Sequence, residues 1–486
     1  MSLQPLLPAA AIAANMAELK PPLRPQEAVV EASRCLFCFD APCIMACPTG
    51  IDVPAFIKKI ASGNPVGAAR TILTANILGA SCARVCPTQV LCEGACVLDD
   101  RDEQPIQIGR LQRYATDYVE QRAISVLTRP TLQNGRKVAV IGAGPAGLGC
   151  AAELARLGHP VTIFEKQAQA GGLNTYGIAY YKMQPRVSLA EVELVKSLGV
   201  EFRCGVTIGR DLTVAQLAGE FAAIFVAVGL GAATKLRIPG ETLPEVVDAL
   251  EFISRLHTEP LDSIPIGRRV AVIGAGNTAI DAVTQSKRLG AERAFIVYRR
   301  GEPEMSAYDF EYEHAKDDGA HFLFHAAPIE IVATHGHVSG LKLIRTRLVG
   351  DTVEMIPGTE WIEPCDLVLK AVGQEKQAAM IRSLFPSLNV DARGVVQRDP
   401  LTGATNLPHV FAGGDCANGG REVVNAVGEG KKSAHAIHAF LTRETVPLPV
   451  QPSRLGAKQG ASGSGLLTPI RAHELEEALA RSSPSQ

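Results

Sequence analysis

Two stretches of this chain repeat one pattern of apolar and polar positions: an unbroken apolar run, a glycine-rich break, an amphipathic run and a second apolar run. They are Lys137–Lys166 (KVAVIGAGPAGLGCAAELARLGHPVTIFEK) and Arg268–Arg300 (RRVAVIGAGNTAIDAVTQSKRLGAERAFIVYRR). A short β-branched run bounded by glycine reads as a strand buried on both faces, and the periodic stretch behind it reads as a helix. Each copy therefore predicts a strand–helix–strand unit of a parallel sheet. Further strands are expected at Ala223–Val228, Leu367–Val372 and His409–Ala412, and a helix at Val423–Leu441. Upstream of about residue 130 the texture differs, with cysteine-bearing loops between helical stretches such as Val53–Ala61 and Ile108–Gln121. Asn134-Gly135 marks the turn where the pattern changes. From Pro447 the chain becomes Pro-, Gly- and Ser-rich, which reads as a linker. It closes on a short amphipathic candidate, Ala472–Arg481, with Leu475, Ala478 and Leu479 on one stripe. The duplication repeats a domain type rather than a solenoid period.

Composition narrows the function classes. At 486 residues the length prior is about three domains. Net charge is −2 and charged residues make up 20%, so no basic surface advertises nucleic acid or an anionic membrane. No apolar stretch approaches the roughly 18 residues of a transmembrane helix. Met1–Lys20 lacks a positive leading region and makes a poor signal peptide. The expectation is a soluble cytoplasmic protein.

Eight of the twelve cysteines fall between Cys35 and Cys96 in two quartets. The first reads C-x2-C-x4-C-x3-C-P (Cys35, Cys38, Cys43, Cys47, Pro48) and the second C-x3-C-P-x4-C-x3-C (Cys82, Cys86, Cys92, Cys96). Short spacings of this kind hold four-iron clusters, with proline often after a last cysteine that serves a second cluster. Two [4Fe–4S] clusters with interlaced ligands are expected. Structural zinc is the alternative, but it favours paired CxxC knuckles, and only Cys35/Cys38 has that spacing. Disulfides do not suit an intracellular enzyme. The remaining Cys150, Cys204, Cys365 and Cys416 each read as a buried small apolar residue.

The glycine-rich breaks carry the second chemistry. In Gly142-Ala143-Gly144-Pro145-Ala146-Gly147 the glycines permit a tight turn and close approach to a pyrophosphate at a helix N-terminus. Glu165, at the end of the next strand, can accept from a ribose hydroxyl. The second copy, Gly274-Ala275-Gly276-Asn277-Thr278-Ala279, lacks that acid and carries Arg299 and Arg300 instead, suited to a 2′-phosphate or to an adenine rim. Gly414-Asp415, after a strand and before a helix, places an acid where a ribityl hydroxyl would lie. This layout, an FAD domain interrupted by an NAD(P) domain, resembles the two-dinucleotide flavoprotein reductase fold, which implies FAD in the first copy and NAD(H) or NADP(H) in the second. The strand ends at Val228-Gly229 and Val372-Gly373 read as crossovers between the two domains, and Ala371, Val372 and Gly373 as part of the NAD(P) site.

With a cysteine-rich domain ahead of that pair, residues 30 to 445 resemble two families: the electron-input half of dihydropyrimidine dehydrogenase and the small subunit of bacterial glutamate synthase. Cys38-Phe39-Asp40-Ala41-Pro42-Cys43, and a glutamine in Pro105-Ile106-Gln107-Ile108-Gly109-Arg110-Leu111-Gln112, favour the first. That resemblance implies one cluster on Cys35, Cys38, Cys43 and Cys96 and the other on Cys47, Cys86, Cys92 and Gln112, leaving out Cys82, which spacing alone would choose. It also implies flavin contacts at Leu173 and Lys182, the latter where the family has an arginine. Ser306 stands where the NADP-binding members have a second arginine, which shifts the expectation toward NADH. The implied architecture is α/β. A helical double-cluster domain (1–130) precedes an FAD domain (131–240 and 375–445) interrupted by an NAD(P) domain (241–374), with a flexible tail (446–486). The whole dehydrogenase continues into an FMN barrel that reduces uracil and thymine; after Leu441 only 45 residues remain here. The implied role is an electron-input subunit that hands electrons to a separate FMN-containing catalytic subunit.

Overall fold

The computed structural model describes residues 3–99, 104–131 and 133–444. The tail expectations from Pro447 onward lie outside the described residues.

The N-terminal region is helical. Asp52 and Asn64 cap the helices Val53–Ala61 and Pro65–Ala75, each accepting the backbone N–H three residues on. Phe56, Ile57 and Ile60 on the first helix, Ile72 on the second and Leu111 and Ala115 on Ile108–Gln121 are all buried. The helices Val53–Ala61 and Ile108–Gln121 have the bounds the apolar periodicity predicts.

The remainder is built on three sheets. The strands are β1 (Val138–Ile141), β2 (Val161–Glu165), β3 (Glu201–Cys204), β4 (Ala223–Val226), β5 (Val246–Asp248), β6 (Arg269–Ile273) and β7 (Arg293–Val297). After them come β8 (His321–Leu323), β9 (Ala326–Thr334), β10 (His337–Val349), β11 (Thr352–Met355), β12 (Trp361–Glu363), β13 (Leu367–Lys370) and β14 (Val410–Ala412). One parallel sheet has the order β14-β4-β1-β2-β3 and a second β5-β13-β6-β7-β8. The second sheet is an insertion, because β14 returns to the first after it. Two backbone segments cross between them side by side: Thr234 N–H donates to Gly373 O (2.9 Å), and Glu375 N–H to Ala232 O (2.8 Å).

An antiparallel sheet of β9–β12 was not expected. Its signal in the sequence is the period-2 alternation around His335-Gly336 in 326–349, which lies outside the two parallel units. One of the four scattered cysteines also departs from expectation. Cys150, Cys365 and Cys416 are buried, but Cys204 is exposed, because it ends β3, the edge strand of its sheet.

The helical region is welded to the first sheet. The helix Val423–Thr442 packs on Pro145–Arg156 so closely that a Cβ on Gly430 would meet Ala146 O at 2.1 Å. On its other side, a Cβ on Gly428 would meet Pro48 O at 2.8 Å. Glu191 reaches the helix Gly79–Val85, accepting from Ala80 N (2.8 Å) and Ser81 N (2.9 Å), and burial pushes its carboxyl up to about 7. A single apolar core runs from Phe56 through Val140 to Ala434.

Candidate functional site

The eight clustered cysteines surround two separate cavities. Cys35, Cys38, Cys43 and Cys96 line one, with Val53, Ile57 and Ile106 behind them. Cys47, Cys82, Cys86, Cys92 and Gln112 line the other. Each cavity draws cysteines from both quartets. Among the described residues no three His, Cys, Asp or Glu side chains converge where a single ion would sit. Four cysteines line the first cavity, and four cysteines with Gln112 line the second. Burial pushes the Cys43 and Cys92 thiols up, and the Cys82 thiol beside Cys86, together with burial, does the same there. Thiolates at these positions need a compensating positive charge, which iron supplies. The residues therefore fit clusters. Gln112 donates from Nε2 to Gly79 O at 2.7 Å, which fixes its amide and leaves the oxygen as the end suited to a metal.

The two dinucleotide turns are built alike. Gly142 has φ +103°, and a Cβ there would meet Ala227 O at 2.4 Å; Gly274 has φ +126°, and a Cβ would meet Ala371 O at 2.3 Å. Only glycine satisfies both constraints. The helices that follow, Pro145–Arg156 and Asn277–Arg288, start at Gly144 and Gly276 without side-chain caps. N–H groups at the helix starts, such as those of Ala146 and Thr278, are thus available to an anion such as pyrophosphate, while Ala279 N–H donates to Gly276 O.

In the first copy, Glu165 accepts from Ala143 N and Gln167 N, both at 2.8 Å, which aims its carboxylate at the turn with lone pairs to spare. A Cβ on Gly144 would have only Gly172 Cα within 4 Å, at 3.9 Å, so the turn lies open above it. Leu173 opens a short helix behind Gly172. Gly414 N–H donates to Glu429 Oε2 (2.8 Å), and burial pushes the Asp415 carboxyl up. The helix Val423–Thr442 also has no side-chain cap. These residues fit FAD. Lys182 is placed differently from a simple flavin contact: its Nζ lies 2.7 Å from Asp281 and 2.6 Å from Glu311.

The second copy opens on a cavity of about 870 Å³. Ala275, Gly276, Asn277, Thr278, Arg299, Ala371, Val372 and Gly373 all line it, as does Ser306. Arg300 does not; its Nη2 is directed to Asp351 O (3.4 Å). Lys235 and Lys376 line the cavity too. Sequence reasoning missed both, since they sit on the crossover segments outside any motif. The cavity and its exposed cations fit a pyridine dinucleotide. Val424, in the first turn of Val423–Thr442, lines the second cysteine cavity, so that cavity adjoins the helix whose N-terminus faces the expected flavin position.

Two interlaced thiol cages joined to two dinucleotide sites define an iron–sulfur flavoprotein oxidoreductase using a pyridine nucleotide. Residues 136–430 match the family model for pyridine nucleotide-disulphide oxidoreductases, and 12–124 that for dihydropyrimidine dehydrogenase domain II, 4Fe-4S cluster. The chain belongs to the pyridine nucleotide-disulphide oxidoreductase family, in the branch that carries this iron–sulfur domain. It is 37% identical to the NAD-dependent dihydropyrimidine dehydrogenase subunit PreT of Escherichia coli K12, over 87% of this chain and 97% of that one. It is 35% identical to the glutamate synthase [NADPH] small chain of Halomonas elongata, over 89% and 95%. Among solved structures, Mycobacterium tuberculosis FprA in complex with NADPH aligns with TM-score 0.53 at 20% identity, over 64% of this chain and 85% of that one, a likeness of fold. No helix among the described residues is long and apolar enough to cross a membrane.

Proposed function

We propose that this chain is the NADH-accepting subunit of a dihydropyrimidine dehydrogenase, located in the cytoplasm, and that it delivers electrons to a separate FMN-containing catalytic subunit. The observation that carries this reading over a glutamate synthase small chain is Gln112, held by Gly79 O within the second cysteine cavity. The glutamate synthase family tends to have an acid there. Bound at these sites, FAD would supply hydride acceptance from a nicotinamide and the clusters would supply one-electron transfer. The chain's own residues bind and orient. The Gly274–Thr278 turn and Arg299 would hold the dinucleotide, Glu165 and Asp415 would hold the FAD ribose and ribityl hydroxyls, and Val424 brings the first turn of the flavin-facing helix to the wall of the second cage.

The described residues form a helical domain and three sheets, none closed into a barrel. The purified chain is therefore expected to reduce artificial dyes with NADH and leave uracil unchanged, whereas adding the FMN partner yields dihydrouracil. Uracil reduction by the chain alone, or glutamine-dependent glutamate formation with a glutaminase-bearing partner, would overturn this reading.

NADH is expected to be preferred over NADPH. Arg299 alone of the arginine pair lines the cavity, and Ser306 offers no charge to a 2′-phosphate. A charge-assisted contact contributes about 1.5–3 kcal/mol, so one missing arginine shifts the preference about tenfold or more. Dye-reduction assays with both nucleotides check this; an equal or higher kcat/KM with NADPH contradicts it.

A further inference from the structure

The loop Met305–Tyr308 of the second nucleotide domain, which leads into the helix Asp309–Asp317, is fastened in two directions. Toward its own domain, Ala307 N–H donates to Ala275 O (3.2 Å) and Tyr308 N–H to Asn277 Oδ1 (3.1 Å), while Ser306 lines the dinucleotide cavity. The loop thus follows the position of the Gly274–Thr278 turn. Toward the other domain, Tyr308 Oη donates to Glu422 Oε1 at 2.6 Å. These residues are 114 positions apart in sequence.

Glu422 occupies the N-cap position of Val423–Thr442 but spends no side-chain oxygen on capping. Its carboxylate receives Tyr308 instead. The Tyr308 ring stacks on Phe310, with centroids 5.4 Å apart and planes within 8°. Burial, followed by the Glu422 carboxylate, pushes the phenol's pKa up, so the hydroxyl stays a donor. A second cross-domain contact lies nearby. Lys182, between the first-copy elements, is gripped by Asp281 and Glu311 from helices of the inserted domain. That ion-pair cluster holds the domains together, but it touches neither dinucleotide turn through a hydrogen bond. Tyr308 is the residue that connects one turn to the helix start at the other cofactor.

We propose that Tyr308 is a positioning residue for electron entry, holding the dinucleotide turn of one domain in register with the flavin-facing helix of the other. The proposal rests on the reading that a pyridine nucleotide reduces a flavin within this chain. Hydride transfer is sensitive to placement: an error of about 1 Å costs on the order of 10²-fold in rate. A hydrogen bond that links the two binding elements acts on that placement.

The test uses the full holoprotein and anaerobic stopped-flow bleaching of the flavin by NADH. Tyr308→Phe keeps the stacked ring and removes the donor, Glu422→Ala removes the acceptor, and Glu422→Gln keeps an acceptor oxygen. Tyr308→Phe and Glu422→Ala are expected to slow bleaching at saturating NADH by about 10–100-fold, with a much smaller change in the NADH concentration giving half-maximal rate. Glu422→Gln is expected to stay near the wild-type rate. Flavin content, iron content and the flavin midpoint potential should be the same in all four proteins. A wild-type rate in Tyr308→Phe overturns the proposal, as does a Glu422→Gln variant as slow as Glu422→Ala, or a potential shift large enough to explain the slowing. If NADH and NADPH both fail to bleach the wild-type flavin, the underlying reading falls, and the proposal with it.

Discussion

Gln112→Ala is expected to disturb one of two iron–sulfur clusters, and Cys82→Ser to leave both in place. The anaerobically prepared wild type should contain about eight irons and eight acid-labile sulfides, as two cubanes require. The second cavity is lined by five candidate donors for four places: Cys47, Cys82, Cys86, Cys92 and Gln112. Cys82 and Cys86 lie one turn apart, Cys82 within the helix Gly79–Val85 and Cys86 at its C-cap, and the Cys82 side chain is nearly fully buried. Gln112 comes from a different helix, and its amide is oriented by Gly79 O, the first residue of the helix that bears Cys82. An amide oxygen is a neutral, harder donor than thiolate, so a cluster bound by it carries one negative charge less and differs in potential. Removing the glutamine side chain should therefore take one EPR signal away or move it, with iron falling toward four if that cluster is lost. Replacing Cys82 should change neither the iron count nor the spectrum. The opposite pattern would make Cys82 the ligand and remove the main argument for the dihydropyrimidine branch. Stoichiometric zinc in place of iron would remove the redox role of the domain altogether.

Local constraints made much of this legible from sequence. Gly142 and Gly274 announce themselves because a neighbouring strand's carbonyl leaves room for no side chain, so the motif is written into the chain wherever the turn is used. The helices Val53–Ala61 and Ile108–Gln121 were readable because each buries one face and exposes the other. The cysteine spacings pointed to interlaced cages but left the sorting open, since Cys82 and Gln112 are brought to one cavity only by packing between helices. Long-range pairing hid the rest. Lys182 meets Glu311 across 129 positions, and nothing local to either residue signals the other. The same holds for Tyr308 and Glu422. Arg299 and Arg300 are adjacent in sequence, yet only the first lines the cavity, because in the bend after β7 Arg300 turns toward Asp351 O. The β9–β12 sheet carried a readable alternation, but one that belongs to no motif.

Gly147→Ala is expected to yield protein that retains its iron but binds FAD about 10–100-fold more weakly. Gly147 lies in the first turn of the helix Pro145–Arg156 and faces back onto the loop that precedes it. A Cβ there would meet Gly142 O at 2.0 Å, Gly142 C at 3.1 Å and Val140 Cγ1 at 3.2 Å. The first two atoms are backbone, so relief requires moving the turn itself rather than rotating a side chain. Gly142 has little freedom to move, because its own Cα faces Ala227 O of the neighbouring strand segment. The added methyl must therefore lift the helix start off the sheet, carrying the uncapped N–H groups of its first turn away from the pyrophosphate position. Overpacking of this kind typically costs about 1–3 kcal/mol, which corresponds to about 10–100-fold in affinity. The cysteine cavities are lined by residues 35–112 and by Val424, none of them in this turn, so iron content should stay at the wild-type level. Flavin absorbance after gel filtration and titration with FAD measure the effect. Full FAD retention would show that the turn accommodates a side chain and that pyrophosphate is not held at this helix start. Loss of iron together with flavin would show instead that the substitution unfolds the shared core.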